Sequence, residues 1–166
     1  MSHDYHIGID NGTSGTIGII GPHGSQFIKT PIKKEQSYTK KKAGISRILF
    51  HEFRRFLMDN TEVNKRFAVL ERPLINPGMF KTSMSAMRTL EAEVLILESL
   101  KIPYMYCDSK EWQRELLPHG TKGSPELKKA SMDIGCRLFP EHEVLIKKHK
   151  DADGILIAEW ARRKNF

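Results

Sequence analysis

The chain has 166 residues, a formal net charge of +7, 39% hydrophobic and 28% charged residues. That is the size and balance of one globular domain with its own core, and no apolar run approaches the ~18 residues that a membrane helix needs. The N-terminus shows no basic stretch leading into an apolar one, so no signal peptide is read there. Cys107 and Cys136 stand apart without metal-type spacing, which fits reduced thiols in a cytosolic-type compartment.

The first stretch, YHIGIDNGTSGTIGII, reads as a hairpin: a strand over 5–10, a small-residue turn, and a return strand over 16–20. Asp10 sits where the apolar run stops, on a rigid element that suits a metal ligand; the structural alternative is a turn-forming Asp. A third strand is expected over Ser25–Thr30. Residues 31–42 are polar and basic and read as a loop. From Ala43 the spacing of Ile45, Ile48, Leu49, Phe53, Phe56 and Leu57 predicts a helix that stops at Asn60 and Thr61.

Phe67–Leu70 is a short buried-type strand closed by Glu71, whose charge is costly there unless paired or bound to a cation. The structural alternative is a salt bridge to Arg72. A loop with Met79 and Phe80 follows. Ser83 is the expected N-cap of a helix over Met84–Leu100, with Met87, Leu90, Val94 and Leu97 inward. Ile102–Tyr106 reads as a strand, then Asp108 or Ser109 caps a short helix through Leu117. Residues 118–125 form a Gly-rich basic loop without the spacing of a phosphate-binding loop. Glu126–Phe139 is amphipathic. The last segment passes from a basic loop into a helix burying Ile155, Leu156, Ala158, Trp160 and Ala161, with Asp151 and Asp153 in its first turn. Strands separated by helices imply a layered α/β sheet, made mixed by the initial antiparallel strands.

The excess of basic residues lies in runs, which points to a polyanionic partner or to a solvated basic surface. Asp10, Glu71, Asp151 and Asp153 instead lie beside apolar segments. If the strands ending at Asp10 and Glu71 are parallel neighbours, both end on one sheet edge, within reach of the last helix. Carboxylates gathered without a basic partner are tolerated around hard divalent cations such as Mg²⁺ or Mn²⁺. Two such ions ~4 Å apart suit phosphodiester hydrolysis.

The order of elements and acidic positions resembles the RNase H-like superfamily, and within it the RuvC-type Holliday junction resolvases of the phage and poxvirus branch. The resemblance rests on GIDNGTSGT, VLERP and KKHKDADGILIAEWARR, with WQRELLPHGTKGSPELKKASMDIGCRLFP similar to the basic segment before the last acidic pair. It covers nearly the whole chain. It implies one RNase H-like nuclease domain over 1–166, with a mixed five-stranded sheet flanked by helices. It further implies a homodimer that nicks four-way DNA junctions with two Mg²⁺ ions per site, Mn²⁺ substituting, in the cytoplasm of a bacterial or phage-infected cell. Asp10, Glu71 and Asp153 carry over as catalytic metal ligands. The family places an Asp or His three residues before the last Asp, where this chain has Lys150, so the fourth ligand is expected to be Asp151, or else His149. Lys122 and Lys128 match the basic segment and are expected on DNA phosphates, and Phe80, with Met79, is expected against unstacked bases at the junction. The Met84–Leu100 helix resembles the family's dimerisation helix.

Three other readings fit parts of the sequence. GIDNGTSGT also resembles the phosphate motif of sugar kinases and actin-like ATPases, which need two such domains. A broader flap, fork or RNA–DNA hybrid nuclease would use the same centre. A non-catalytic junction binder would account for Lys150.

Overall fold

The computed structural model describes residues 3–36, 40 and 44–166. Residues 37–39 and 41–43, including Lys41, Lys42 and the expected helix start at Ala43, lie outside the described residues. Among the described residues no helix is long and apolar enough to cross a membrane.

Strands β1 (Tyr5–Ile9), β2 (Thr16–Gly21) and β3 (Gly24–Lys29) form the expected antiparallel meander. β4 (Ile32–Gln36) and β5 (Gly44–Ile48) pair as a separate two-stranded ribbon. Helix α1 (Phe50–Asn60) leads to β6 (Arg66–Glu71), and α2 (Phe80–Ser99) to β7 (Tyr104–Cys107). Then come α3 (Ser109–Leu116), α4 (Ser124–Leu138), α5 (Glu143–His149) and α6 (Asp153–Arg163). The main sheet has five strands in the order β3-β2-β1-β6-β7, with β6 parallel to both β1 and β7. It is a mixed α/β sheet flanked by helices, as the sequence implies.

Side chains alternate along β1 and so divide between two cores. Tyr5, Ile7 and Ile9 join Phe53 and Leu57 of α1 and Ile96 and Leu97 of α2. The opposite face takes Val69 and Cys107 against Trp112, Ile134, Ile146 and the α6 residues Ile155, Leu156 and Ile157. α6 is buried without a break from Gly154 to Ala161.

The seating of α6 depends on glycine. Gly8 of β1 lies opposite Gly18 of β2, and Gly154 of α6 docks on that bare patch. A Cβ on Gly8 would fall 2.2 Å from the Gly154 carbonyl oxygen, one on Gly18 2.3 Å from the Ile155 Cα, and one on Gly154 2.4 Å from the Thr16 carbonyl oxygen. Each neighbour is backbone and cannot swing aside. This contact brings the start of α6 to the end of β1.

Five expectations need correction. The loop expected over 31–42 contains β4, and residues 44–48 are strand where helix was expected. Ile45 and Ile48 are spaced for a helix face, but pairing of Glu35 with Ile45 and Ile32 with Ile48 draws the segment into the ribbon, a non-local contact overriding local pattern. α2 starts at Phe80, not Met84. Asn76 caps a one-turn 3-10 helix (Pro77–Met79), its side chain accepting from the Gly78 N–H at 2.9 Å. Ser83 is buried inside α2 and its hydroxyl bonds the Asn76 backbone. Met87, expected inward, is 46% exposed. The basic loop expected before α6 is mostly α5, ended by Lys150 in the left-handed region (φ 55°, ψ 38°).

α3 is capped as expected. Asp108 and Glu111 form a reciprocal capping box, the Glu111 carboxylate accepting from the Asp108 N–H at 2.6 Å.

Candidate metal centre

The parallel register sets Ile9 beside Leu70, so the chains emerging at Asp10 and Glu71 leave the sheet on the same edge. The glycine seam delivers Asp151 and Asp153 there. Asp10, Asp151 and Asp153 each offer a carboxylate oxygen within 4.8 Å of the others, and all three are half-buried. Glu71 lies outside that tight group, although its charge is felt at Asp10 and Asp153.

Neutral donors orient the acids. The buried Thr16 hydroxyl donates to Asp151 Oδ1 at 2.7 Å and accepts the Gly154 N–H at 3.0 Å. The same Asp151 oxygen accepts the Asp153 N–H at 2.9 Å, so it ties the helix start to β2. The Ser131 hydroxyl of α4 donates to Asp153 Oδ1. The indole N–H of Trp112 donates to Glu71 Oε2 at 2.7 Å. Each of these three acids thus has one oxygen held and one left over. Arg72 pairs with Asp108 at 3.0 Å and not with Glu71. Among the described residues the ion pairs leave all four carboxylates without a basic partner.

The electrostatic consequence is large. Burial, then the charges of Asp151, Asp153, Glu71 and Glu93, hold the Asp10 carboxyl well above the usual carboxylate range. Burial and Asp151 push Asp153 up to about 7, against the Ser131 hydrogen bond and the Lys128 charge. Burial also raises Glu71, with Trp112 opposing and Asp151 and Asp108 adding to the rise. Hard oxygen donors, crowded, held by neutral groups and unpaired with any base, fit a divalent cation such as Mg²⁺ or Mn²⁺.

The other candidates fall in different places. His149 is not in the cluster; its ring packs near Phe27, with centroids 6.3 Å apart. Lys150 is exposed, and its left-handed turn redirects the chain so that the next residue, Asp151, faces Thr16. Lys128 is exposed on α4, with its charge reaching Asp153. Lys122 is exposed in the loop before α4, where its backbone N–H donates to Glu126 at 3.3 Å. Phe80 is 69% and Met79 53% exposed where α2 begins.

Sequence reasoning missed Thr16, Trp112, Ser131 and Glu93. Glu93 is fully buried in α2, and its charge bears on Asp10. Its position gives it away: it lies three residues after Leu90 and four before Leu97, on the inward face of the helix. Thr16 and Ser131 carry no such signal, because a hydroxyl within an apolar element looks the same whether or not it holds a carboxylate.

No family model matches the chain, and no curated protein sequence matches it. Solved structures do. One is Thermus thermophilus RuvC in complex with a Holliday junction substrate, at a TM-score of 0.62 and 11% identity, covering 98% of this chain and 96% of that one. Another structure of Thermus thermophilus RuvC gives a TM-score of 0.52 and 13% identity, covering 96% of each chain. At such identities the likeness establishes the fold: this chain has the RNase H-like fold of RuvC.

Proposed function

We propose that this chain is a metal-dependent, structure-selective DNA endonuclease that resolves four-way junctions by paired phosphodiester hydrolysis. The observation that carries the reading is the group formed by Asp10, Asp151 and Asp153, whose oxygens lie within 4.8 Å, at the carboxyl edge of parallel strands in a RuvC-like fold. Asp10, Asp151 and Asp153, with Glu71 beside them, would hold Mg²⁺ or Mn²⁺ as a pair of ions. Such ions, when bound, lower the pKa of an attacking water and offset charge on the leaving oxygen.

The chain's own groups account for the rest. Thr16, Ser131 and Trp112 fix the carboxylates before substrate arrives, so little reorganisation accompanies the chemistry. Lys128 holds a scissile-strand phosphate beside Asp153, and Lys122 an adjoining one. Phe80 stacks on a base unpaired at the branch, an interaction worth about 1–3 kcal/mol. Two active sites come from a homodimer. Phe80, Met84 and Met87 are exposed along one side of α2, with Leu95 beyond the exposed Glu91 on the same side, a largely apolar stripe that a second copy would cover. The likeness to the phage and poxvirus branch rests on the sequence motifs.

The test is cleavage of a labelled synthetic four-way junction beside matched duplex, flap and RNA–DNA hybrid, in Mg²⁺, Mn²⁺ or EDTA. Symmetric metal-dependent nicks on the junction alone are expected, falling more than about a hundredfold in Asp10→Asn with junction binding retained. Cutting spread over flaps and forks would mean a broader branch nuclease. Tight binding without cutting would mean a junction binder.

A further inference from the structure

We propose that Glu93 is a further carboxylate of the metal centre, reaching it from the α2 layer and holding a divalent cation jointly with Asp10. This inference rests on the metal-dependent reading above.

Glu93 has no exposed surface, and neither of its carboxylate oxygens has a hydrogen-bond partner. None of the ion pairs among the described residues includes it. Its helix neighbours Ile96 and Leu97 are wholly buried and apolar. The Gly12 backbone amide acts on it, opposing the rise that burial causes, but no group among the described residues closes a hydrogen bond of ordinary geometry to either oxygen. Gly12 belongs to the turn that carries Asp10, and the Glu93 charge is felt at Asp10 itself. In that same turn both polar atoms of the Asn11 side chain are also buried without partners.

A carboxylate placed so pays a desolvation cost that the Gly12 amide offsets only in part. Three of the other four acids at this edge escape that position: Thr16 donates to Asp151, Ser131 to Asp153 and Trp112 to Glu71. Glu93 alone among the five has both oxygens buried and bare. Glu93, like Glu71, lies outside the close group of Asp10, Asp151 and Asp153, but its charge reaches Asp10, and hard oxygens with no cation from a side chain suit Mg²⁺ or Mn²⁺. The competing account is a neutral acid embedded in the core, which needs no metal.

Mn²⁺ titration of the full metal-free chain, following free Mn²⁺ by electron paramagnetic resonance, separates the two. Glu93→Gln keeps the volume and removes the charge. We expect it to weaken Mn²⁺ binding about tenfold or more, or to delete one binding step, with metal-free thermal unfolding unchanged or raised. An isotherm identical to the wild type would overturn the proposal. Glu93→Met serves as a second variant of similar length, and the same two outcomes apply to it. Asp10→Asn tests the underlying reading: if it binds Mn²⁺ as the wild type does, the metal centre itself is wrong. If Asp10→Asn loses binding while both Glu93 variants keep it, only the role of Glu93 falls.

Discussion

On one side of the sheet, α6 closes on β1 and β2 with no room for a methyl group between them. On the other, α2 keeps a bare carboxylate inside and an apolar stripe outside. The α6 seam is complete within a single chain: glycine meets backbone, and Thr16 satisfies both Asp151 and the Gly154 N–H. α2 is complete on neither face. The difference separates the contact that gathers the carboxylates, which one chain completes, from the α2 faces, to which we assign a cation and a second subunit.

Filling the seam should have the largest effect. Gly154→Ala places a methyl 2.4 Å from the Thr16 carbonyl oxygen, where only backbone movement relieves the overlap. A loss of about 3 kcal/mol or more is expected in urea unfolding. The matched substitution Gly120→Ala meets nothing within 4 Å, though its φ of +87° strains any side chain, so its cost should stay near 1 kcal/mol. Equal losses would mean that the close approach of α6 is not what the glycines serve.

The outer face of α2 is broken by charge. Met87→Glu puts a carboxylate into the apolar stripe at a position already 46% exposed. The variant should fold within about 0.5 kcal/mol of the wild type yet sediment as a monomer where the wild type is a dimer. A wild type that is itself monomeric at micromolar concentration would leave the stripe without the partner we assign.

The inner carboxylates make a pH prediction whose sign follows from their raised pKa values. Asp153 moves from the ordinary 3.8 to about 7 on folding, and Asp10 moves in the same direction. The folded chain therefore holds protons that the unfolded chain has released. Between about pH 4 and pH 7 the metal-free protein should lose stability as pH rises, and the Asp153 share of the cost is fully present above that window. In EDTA, the melting temperature should fall across it, and Asp10→Asn should flatten the fall. Excess Mg²⁺ should restore the wild type near neutral pH by binding the folded state. Parallel pH profiles for wild type and variant would show that the cluster does not repel as its geometry implies.

These features were unequally legible in the sequence. Asp10 and Glu71 could be read because each ends an apolar run, and their shared sheet edge followed from parallel pairing. Asp151 could be chosen over His149 only as an expectation; the left-handed turn at Lys150 is a backbone event that lysine does not announce. Gly8, Gly18 and Gly154 read as breaks in strand and helix until two elements are seen to touch there. Ile45 and Ile48 misled because their spacing is that of a helix face, and only pairing with β4 holds the segment extended. Glu93 was within reach of the spacing argument, since a charge on the inward face of α2 breaks the pattern that Leu90 and Leu97 set.

The smallest effect discriminates most finely between the seam and the surface around it. Lys128 lies on α4 one turn from Ser131, which holds Asp153, and its charge already reaches that acid. Lys122 stands in the loop ahead of the helix, where its backbone N–H donates to Glu126. If the α4 side of the centre receives the scissile phosphate, Lys128→Ala should lower the slope of log K against log salt for junction binding by about 0.9, one phosphate contact. It should also weaken cleavage more than binding, because a phosphate held beside Asp153 is held at the reacting position. Lys122→Ala should change the slope equally but leave the ratio of cleavage to binding alone. A Lys128 variant with an unaltered slope would move the DNA path off α4, and the search for the phosphate contact would pass to the other rim of the centre, where Arg72 emerges beside Glu71.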